Sequence, residues 1–223
     1  MCGRFAGFRP LEELIDRFPI DVSKVKATEN YNVAPVQEVL AIAWYEDQNH
    51  LVKFNWGLVP YWAKDKAVGN RMINARSETV AAKPSFRDAF RKRRCLILAD
   101  GFYEWKRDKG NKQPMFLTLP DGSPFAFAGI WETWDKEEPP FLSCTILTRE
   151  ASESVRPIHH RMPVILKPEA YNDWLNPANQ DVRILQDIIE NQIYTELASR
   201  PVSKQVNSVR NNRPENMHQI ELF

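Results

Sequence analysis

Residue 2 is a cysteine, and its chemistry turns on the residue before it. A small residue at position 2 permits removal of Met1, and Cys2 would then carry a free α-amine and a thiol on adjacent carbons, a 1,2-aminothiol. An α-amine has a pKa near ~8, far below that of lysine, so a usable fraction is an uncharged nucleophile at neutral pH. Such an amine captures an aldehyde as a Schiff base. The thiol one carbon away then closes the adduct into a five-membered thiazolidine without a second encounter. Cys95 and Cys144 are internal and have no amine of this kind.

Short motifs follow in order along the chain: MCGRF at 1–5, YNVAP at 31–35, WGLVPYWA at 56–63, INARSET at 73–79, ADGFYEW at 99–105, IHHRMPVIL at 158–166 and VSKQVNS at 202–208. With this set the chain resembles, nearly end to end, the SRAP family (SOS-response-associated peptidase), whose members shield abasic sites in single-stranded DNA. The resemblance implies that Cys2 forms a covalent thiazolidine with the ring-opened aldehyde of an abasic deoxyribose. It implies active-site roles for Asn74 of INAR, for Glu104 of FYEW as the catalytic glutamate and for His159 of IHHRMP as the catalytic histidine. Arg4, Arg76 and Arg161 lie in the same motifs and are implied phosphate or backbone contacts. The partner implied is single-stranded DNA with abasic sites, and no cofactor is needed. The family name also implies peptidase activity, at least the removal of Met1 by the same Cys2 and Glu104, work that a methionine aminopeptidase could also do.

These residue types suit that chemistry. An abasic deoxyribose is mostly a closed hemiacetal, which acid and base must open before an amine can attack. Histidine titrates near neutral pH and serves as either. A glutamate at 104 can take a proton from the α-ammonium and return one when the carbinolamine loses water. His159 is distinguished from His160 by the motif alone; on a strand the two would face opposite ways. His160 also departs from the acidic residue often found at that place in the family. Trp62 and, less strongly, Trp105 are candidates for stacking on unpaired bases, with burial in the core as the alternative. Asn32 contacts the DNA backbone or caps a turn. Gly101 is read as a tight turn that aims Glu104.

Strands are expected at Val39–Tyr45, Leu51–Val59, Cys95–Ala99, Phe102–Lys106, Met115–Leu119, Phe125–Glu132, Leu142–Thr148 and Pro163–Leu166, all rich in β-branched and aromatic residues. Asp121-Gly122 reads as a hairpin turn between two of them. Helices are expected at Pro10–Phe18, with Leu11, Leu14, Ile15 and Phe18 on one face, near Ser85–Arg93, near Pro168–Leu175, and from Asp181 through about Ile193. Strands follow one another without regular helical crossovers. The expected fold is therefore α+β: one domain over 1–223, with a curved, mostly antiparallel barrel-like sheet and peripheral helices.

With 223 residues, 43% of them hydrophobic and 26% charged, the chain can bury a full core, which excludes disordered and collagen-like classes. No apolar run approaches the roughly 18 residues of a membrane-spanning helix and MCGRFAGFRP lacks a signal-peptide core, so a cytoplasmic monomer, nucleoid-associated when on DNA, is expected. His50, His159, His160 and His218 show no zinc-ligand spacing with any cysteine, so no metal is expected. The net charge is only +1, yet six basic residues fall between Lys83 and Arg94 and four between Arg200 and Arg213. Both segments are candidate phosphate strips, or plain solvated faces. Two other function classes compete. An N-terminal MCG also opens glutamine amidotransferases that use the cysteine thiol as nucleophile, though the later signatures of that class are missing; a non-covalent single-strand binder would leave Cys2 dispensable.

Overall fold

The computed structural model describes residues 2–108 and 110–221; Met1, whose removal is expected above, lies outside them. Chain order begins β1 (Phe5–Gly7), α1 (Leu11–Arg17), β2 (Val22–Ser23), β3 (Asn30–Val33), β4 (Glu38–Tyr45), β5 (Gln48–Trp56) and β6 (Asn74–Arg76). It continues through α2 (Arg87–Lys92), β7 (Arg94–Ala99), β8 (Gly101–Asp108), β9 (Asn111–Thr118), β10 (Phe125–Trp134) and β11 (Phe141–Glu150). The last elements are β12 (Arg161–Pro163), β13 (Ile165–Leu166), α3 (Tyr171–Leu175), α4 (Val182–Asn191) and β14 (Ala198–Pro201).

This is an α+β fold with a curled, largely antiparallel sheet. Strands β11, β10, β7, β4 and β5 pair in that order, and a short parallel pairing of β5 with β11, at Asn55–Ser143 and Trp56–Cys144, closes the circuit into a barrel. A second sheet, in the order β14, β9, β8, β1, β3, covers the barrel's inner face. Alternation explains the packing: Cys95, Ile97, Ala99, Phe125 and Phe127 point inward to a cluster that includes Cys2 and Phe5. Their neighbours Leu96, Leu98, Ala126, Ala128 and Ile130 point outward beneath the helices. These strands are buried on both faces, which is why they read as continuous apolar runs.

The four helices form where the apolar spacing places them, with local differences. Leu14 and Phe18 are buried, but Ile15 is exposed, since α1 presents a narrower stripe to the sheet. Pro168–Ala170 is a 3-10 turn leading into α3 rather than one continuous helix. Asp181 caps α4 by accepting from the Arg183 amide at 2.8 Å. The stretch 163–166 switches partners at Val164, with β12 on β11 and β13 on β10. Asp121-Gly122 does make a tight turn, Gly122 N donating to Leu119 O at 3.0 Å with φ +70° at Gly122. It is not a hairpin: β9 and β10 on either side belong to different sheets. The hairpin with two left-handed residues joins β4 to β5 through Glu46 and Asp47.

Gly101 opens β8 rather than forming a turn, and its lack of a side chain matters for space. A Cβ there would sit 2.3 Å from Phe116 Cζ and 2.8 Å from Leu117 O. Gly101→Ala is expected to destabilise by about 1–3 kcal/mol through forced displacement of the strand that carries Glu104, measurable as a lower urea midpoint at unchanged m-value.

Candidate active site around Cys2

Three residues after Cys2 the chain enters β1, which pairs with β3 at Phe5–Val33 and with β8 at Phe5–Phe102. That pairing draws Cys2 into the interior, where it is buried beside Phe5, Trp56 and Phe102. Its carbonyl accepts from Asn74 Nδ2 at 2.8 Å. Asn74 is held in turn because β6 lies parallel on β11, with Asn74 opposite Ile146. The other amide atom, Asn74 Oδ1, is buried with no hydrogen-bond partner among the described residues.

Glu104 sits two residues along β8 from Phe102 and is therefore on the same, inward face; it is buried. Burial and the nearby Glu104 carboxylate together push the Cys2 thiol well above its ordinary value, so the sulfur stays protonated at neutral pH. His159 lines a cleft of about 450 Å³ together with Glu104, Trp105, Arg107, Lys112 and Asn207. The His159 Nδ1 accepts from the Arg161 amide at 3.0 Å and lies 3.1 Å from the Arg161 carbonyl. A neutral ring thus carries its proton on Nε2, and a protonated ring can donate from Nδ1 to that carbonyl. Desolvation lowers the His159 pKa, and Glu104 opposes this by favouring the imidazolium. The adjacent histidines do not face apart: they lie in the bend before β12, not on a strand, and their rings stack at 4.4 Å.

The implied strand contacts separate into two groups. Arg76 is exposed on β6 and Trp62 is half exposed beside Tyr61, both open to a ligand. Asn32, Arg4 and Arg161 hold the fold. Asn32 is 1% exposed, donates to the carbonyls of Val206, Ser208 and Asn211, and accepts from Arg4 Nη1 at 2.7 Å. Arg4 also donates to Val206 O at 2.8 Å. Arg161 grips Glu78 through both terminal nitrogens, at 2.5 and 2.9 Å, and donates to Thr148 O at 2.6 Å. For Asn32 and Arg4 the physical reason is topological: the segment 206–211 packs over β3 and needs its carbonyls satisfied, which the sequence around YNVAP does not show. Asn32→Ala is expected to cost about 2–4 kcal/mol in a denaturant titration; lost DNA affinity at unchanged stability would instead mark it as a strand contact.

The first basic segment is partly consumed as well. Arg93 pairs with Glu132 at 2.7 Å, and the Arg94 guanidinium donates to the carbonyls of Phe90, Arg91, Trp174 and Asn176. Helix α2 lies on the outer face of the barrel, across the sheet from Cys2. Conversely, Arg107, Lys112 and Asn207 line the cleft although the sequence reading passed over them; the pairing register of β8 with β9 is what brings them there. Among the described residues no group of three or more His, Cys, Asp or Glu is placed to hold a metal ion, and no helix is long and apolar enough to cross a membrane.

Cys2 thus lies inside a curled sheet, anchored by an asparagine amide, beside a glutamate that shares one cleft with a histidine. Residues 1–209 match the SOS response associated peptidase (SRAP) family. The abasic site processing protein YoqW of Bacillus subtilis is 45% identical over 219 residues, covering 96% of this chain and 98% of that protein. The abasic site processing protein YedK of Escherichia coli is 33% identical over 180 residues, covering 78% and 79% respectively. In fold, a crystal structure of a protein from Bacteroides thetaiotaomicron superposes with a TM-score of 0.87 over 99% of this chain and 100% of that one at 24% identity. The chain belongs to the SRAP family.

Proposed function

We propose that the protein binds single-stranded DNA at abasic sites, as one unit over residues 1–223, and links to them covalently through Cys2. The observation that carries this reading is the buried Cys2, its carbonyl held by the Asn74 amide and its thiol close to Glu104, which lines one cleft together with His159. The names of the relatives, abasic site processing proteins, support the substrate class.

In the steps proposed, His159 donates a proton to the ring oxygen of the closed sugar while the anomeric hydroxyl loses one, giving the open aldehyde. Glu104 accepts a proton from the Cys2 α-ammonium, and the amine adds to the aldehyde carbon. Glu104 returns the proton as the carbinolamine loses water to form the iminium. The thiol, kept protonated by burial and by Glu104, adds to that carbon and releases its proton, closing the thiazolidine. The balance is protein plus DNA minus one water. Met1 must leave first, and we assign its removal to the same Cys2 and Glu104.

The test is denaturing electrophoresis with intact mass of the protein incubated with a single-stranded oligonucleotide carrying one abasic site. A shifted band whose mass equals Met1-less protein plus DNA minus water is expected. Protein shown to lack Met1 that yields no adduct would sink the proposal.

A further inference from the structure

We infer that Arg107 and Lys112 form a phosphate-binding rim on the cleft, holding the backbone of the strand on one side of the sugar that Cys2 captures. The inference rests on the reading of the cleft as a single-stranded DNA site. Both side chains are exposed and line the cleft that Glu104 and His159 line. They are also direct cross-strand partners in the β8–β9 register, so the two cations stand side by side. Like charges placed opposite each other on an antiparallel pair repel, and an anion shared between them turns that repulsion into attraction.

Neither cation forms an ion pair among the described residues, unlike Arg9, Arg93 and Arg161, each of which holds a carboxylate. The cleft wall beside them is fixed, because Trp105 Nε1 donates to Asn207 Oδ1 at 2.8 Å. That contact ties the hairpin to the 3-10 helix Lys204–Asn207, part of the segment between Arg200 and Arg213 that holds four basic residues and no acid. The same segment enters through β14, which pairs with β9. The second charge strip seen in the sequence therefore lies on the hairpin's flank, and a strand leaving the cleft there meets positive charge. Arg4 and Arg161 already hold protein partners, so this rim adds phosphate contacts to any that those motif arginines make.

The probe is a single-stranded oligonucleotide with a stable tetrahydrofuran abasic analogue, which has no aldehyde and so reports reversible binding alone. Fluorescence anisotropy is measured from about 50 to about 300 mM salt for the wild type, Arg107→Ala/Lys112→Ala and the charge-keeping Arg107→Lys/Lys112→Arg. The double alanine variant is expected to bind about tenfold more weakly at the low end, with a salt slope smaller by about 1.4, close to 0.7 for each lost cation. The charge-keeping variant is expected to restore the slope. Oligonucleotides with a flank on only one side of the analogue should show the loss for one flank and not the other. An unchanged slope, an equal loss with either flank, or no restoration by the charge-keeping variant would overturn the rim. Wild-type protein that binds with the expected slope but forms no adduct with an authentic abasic site would overturn the covalent reading and leave the rim standing.

Discussion

Cys2→Ala is expected to abolish the heat-stable DNA adduct completely while leaving most of the reversible affinity for the strand. The reasoning separates the two nucleophiles of residue 2. Once a methionine aminopeptidase has removed Met1 from the variant, alanine keeps the α-amine, so a Schiff base with the abasic aldehyde still forms, but no thiol is present to close the ring and the imine hydrolyses on denaturation. Borohydride added during the incubation should therefore trap an adduct with the alanine variant. The wild type needs no reductant. Intact mass distinguishes the products, the reduced imine being two hydrogens heavier than its unreduced counterpart. A heat-stable adduct from the alanine variant without borohydride would show that another residue is the partner. Failure of borohydride to trap anything would show that the thiol, not the amine, makes first contact. Affinity is expected to be retained because Cys2 is buried, whereas Arg76 and Trp62, the proposed strand contacts, are exposed.

Glu104→Gln, freed of Met1 by a methionine aminopeptidase, is expected to slow adduct formation by about 10²–10⁴-fold, the usual contribution of a positioned proton carrier, with an adduct that is still the Met1-less variant plus DNA minus one water. Loss of its charge has a second consequence that a merely structural role would not produce. In the wild type, desolvation holds the His159 pKa below the ordinary value of 6.5 and the Glu104 carboxylate partly offsets this. Without that carboxylate the imidazolium loses its favourable neighbour, so the His159 titration moves further down, away from neutrality. Nuclear magnetic resonance of the imidazole protons follows this directly. The pH–rate profile should follow it too: the limb that reports His159 protonation moves to lower pH in the variant. An upward displacement, or a rate within a few-fold of wild type, would remove Glu104 from the proton-transfer role.

Much of this protein was legible from residue order alone. The 1,2-aminothiol potential of Cys2 is a property of position in the chain, and the motifs around Asn74, Glu104 and His159 are local strings. The long strands β4, β5, β7, β8, β10 and β11 announce themselves because burial on a pleated surface selects β-branched and aromatic residues whatever the topology. The short strands β1, β3 and β6 do not. Each has only three or four residues, and pairing partners far along the chain, such as Phe102 for Phe5 and Ile146 for Asn74, supply the stabilisation.

What only tertiary structure decided is which polar side chains already hold protein partners. Asn32, Arg4 and Arg161 look like Arg76 in the sequence, since all four are polar residues within motifs. The fold turns the first three toward main-chain carbonyls and Glu78, and leaves Arg76 exposed. It also turns the Asp121-Gly122 corner into a passage between two sheets. These outcomes depend on register and on contacts between residues tens to hundreds of positions apart. Hydrophobic period and local turn preference reach only a few residues along the chain, so they set which segments become strands and helices, whereas the need to satisfy every buried polar group fixes how those segments face one another.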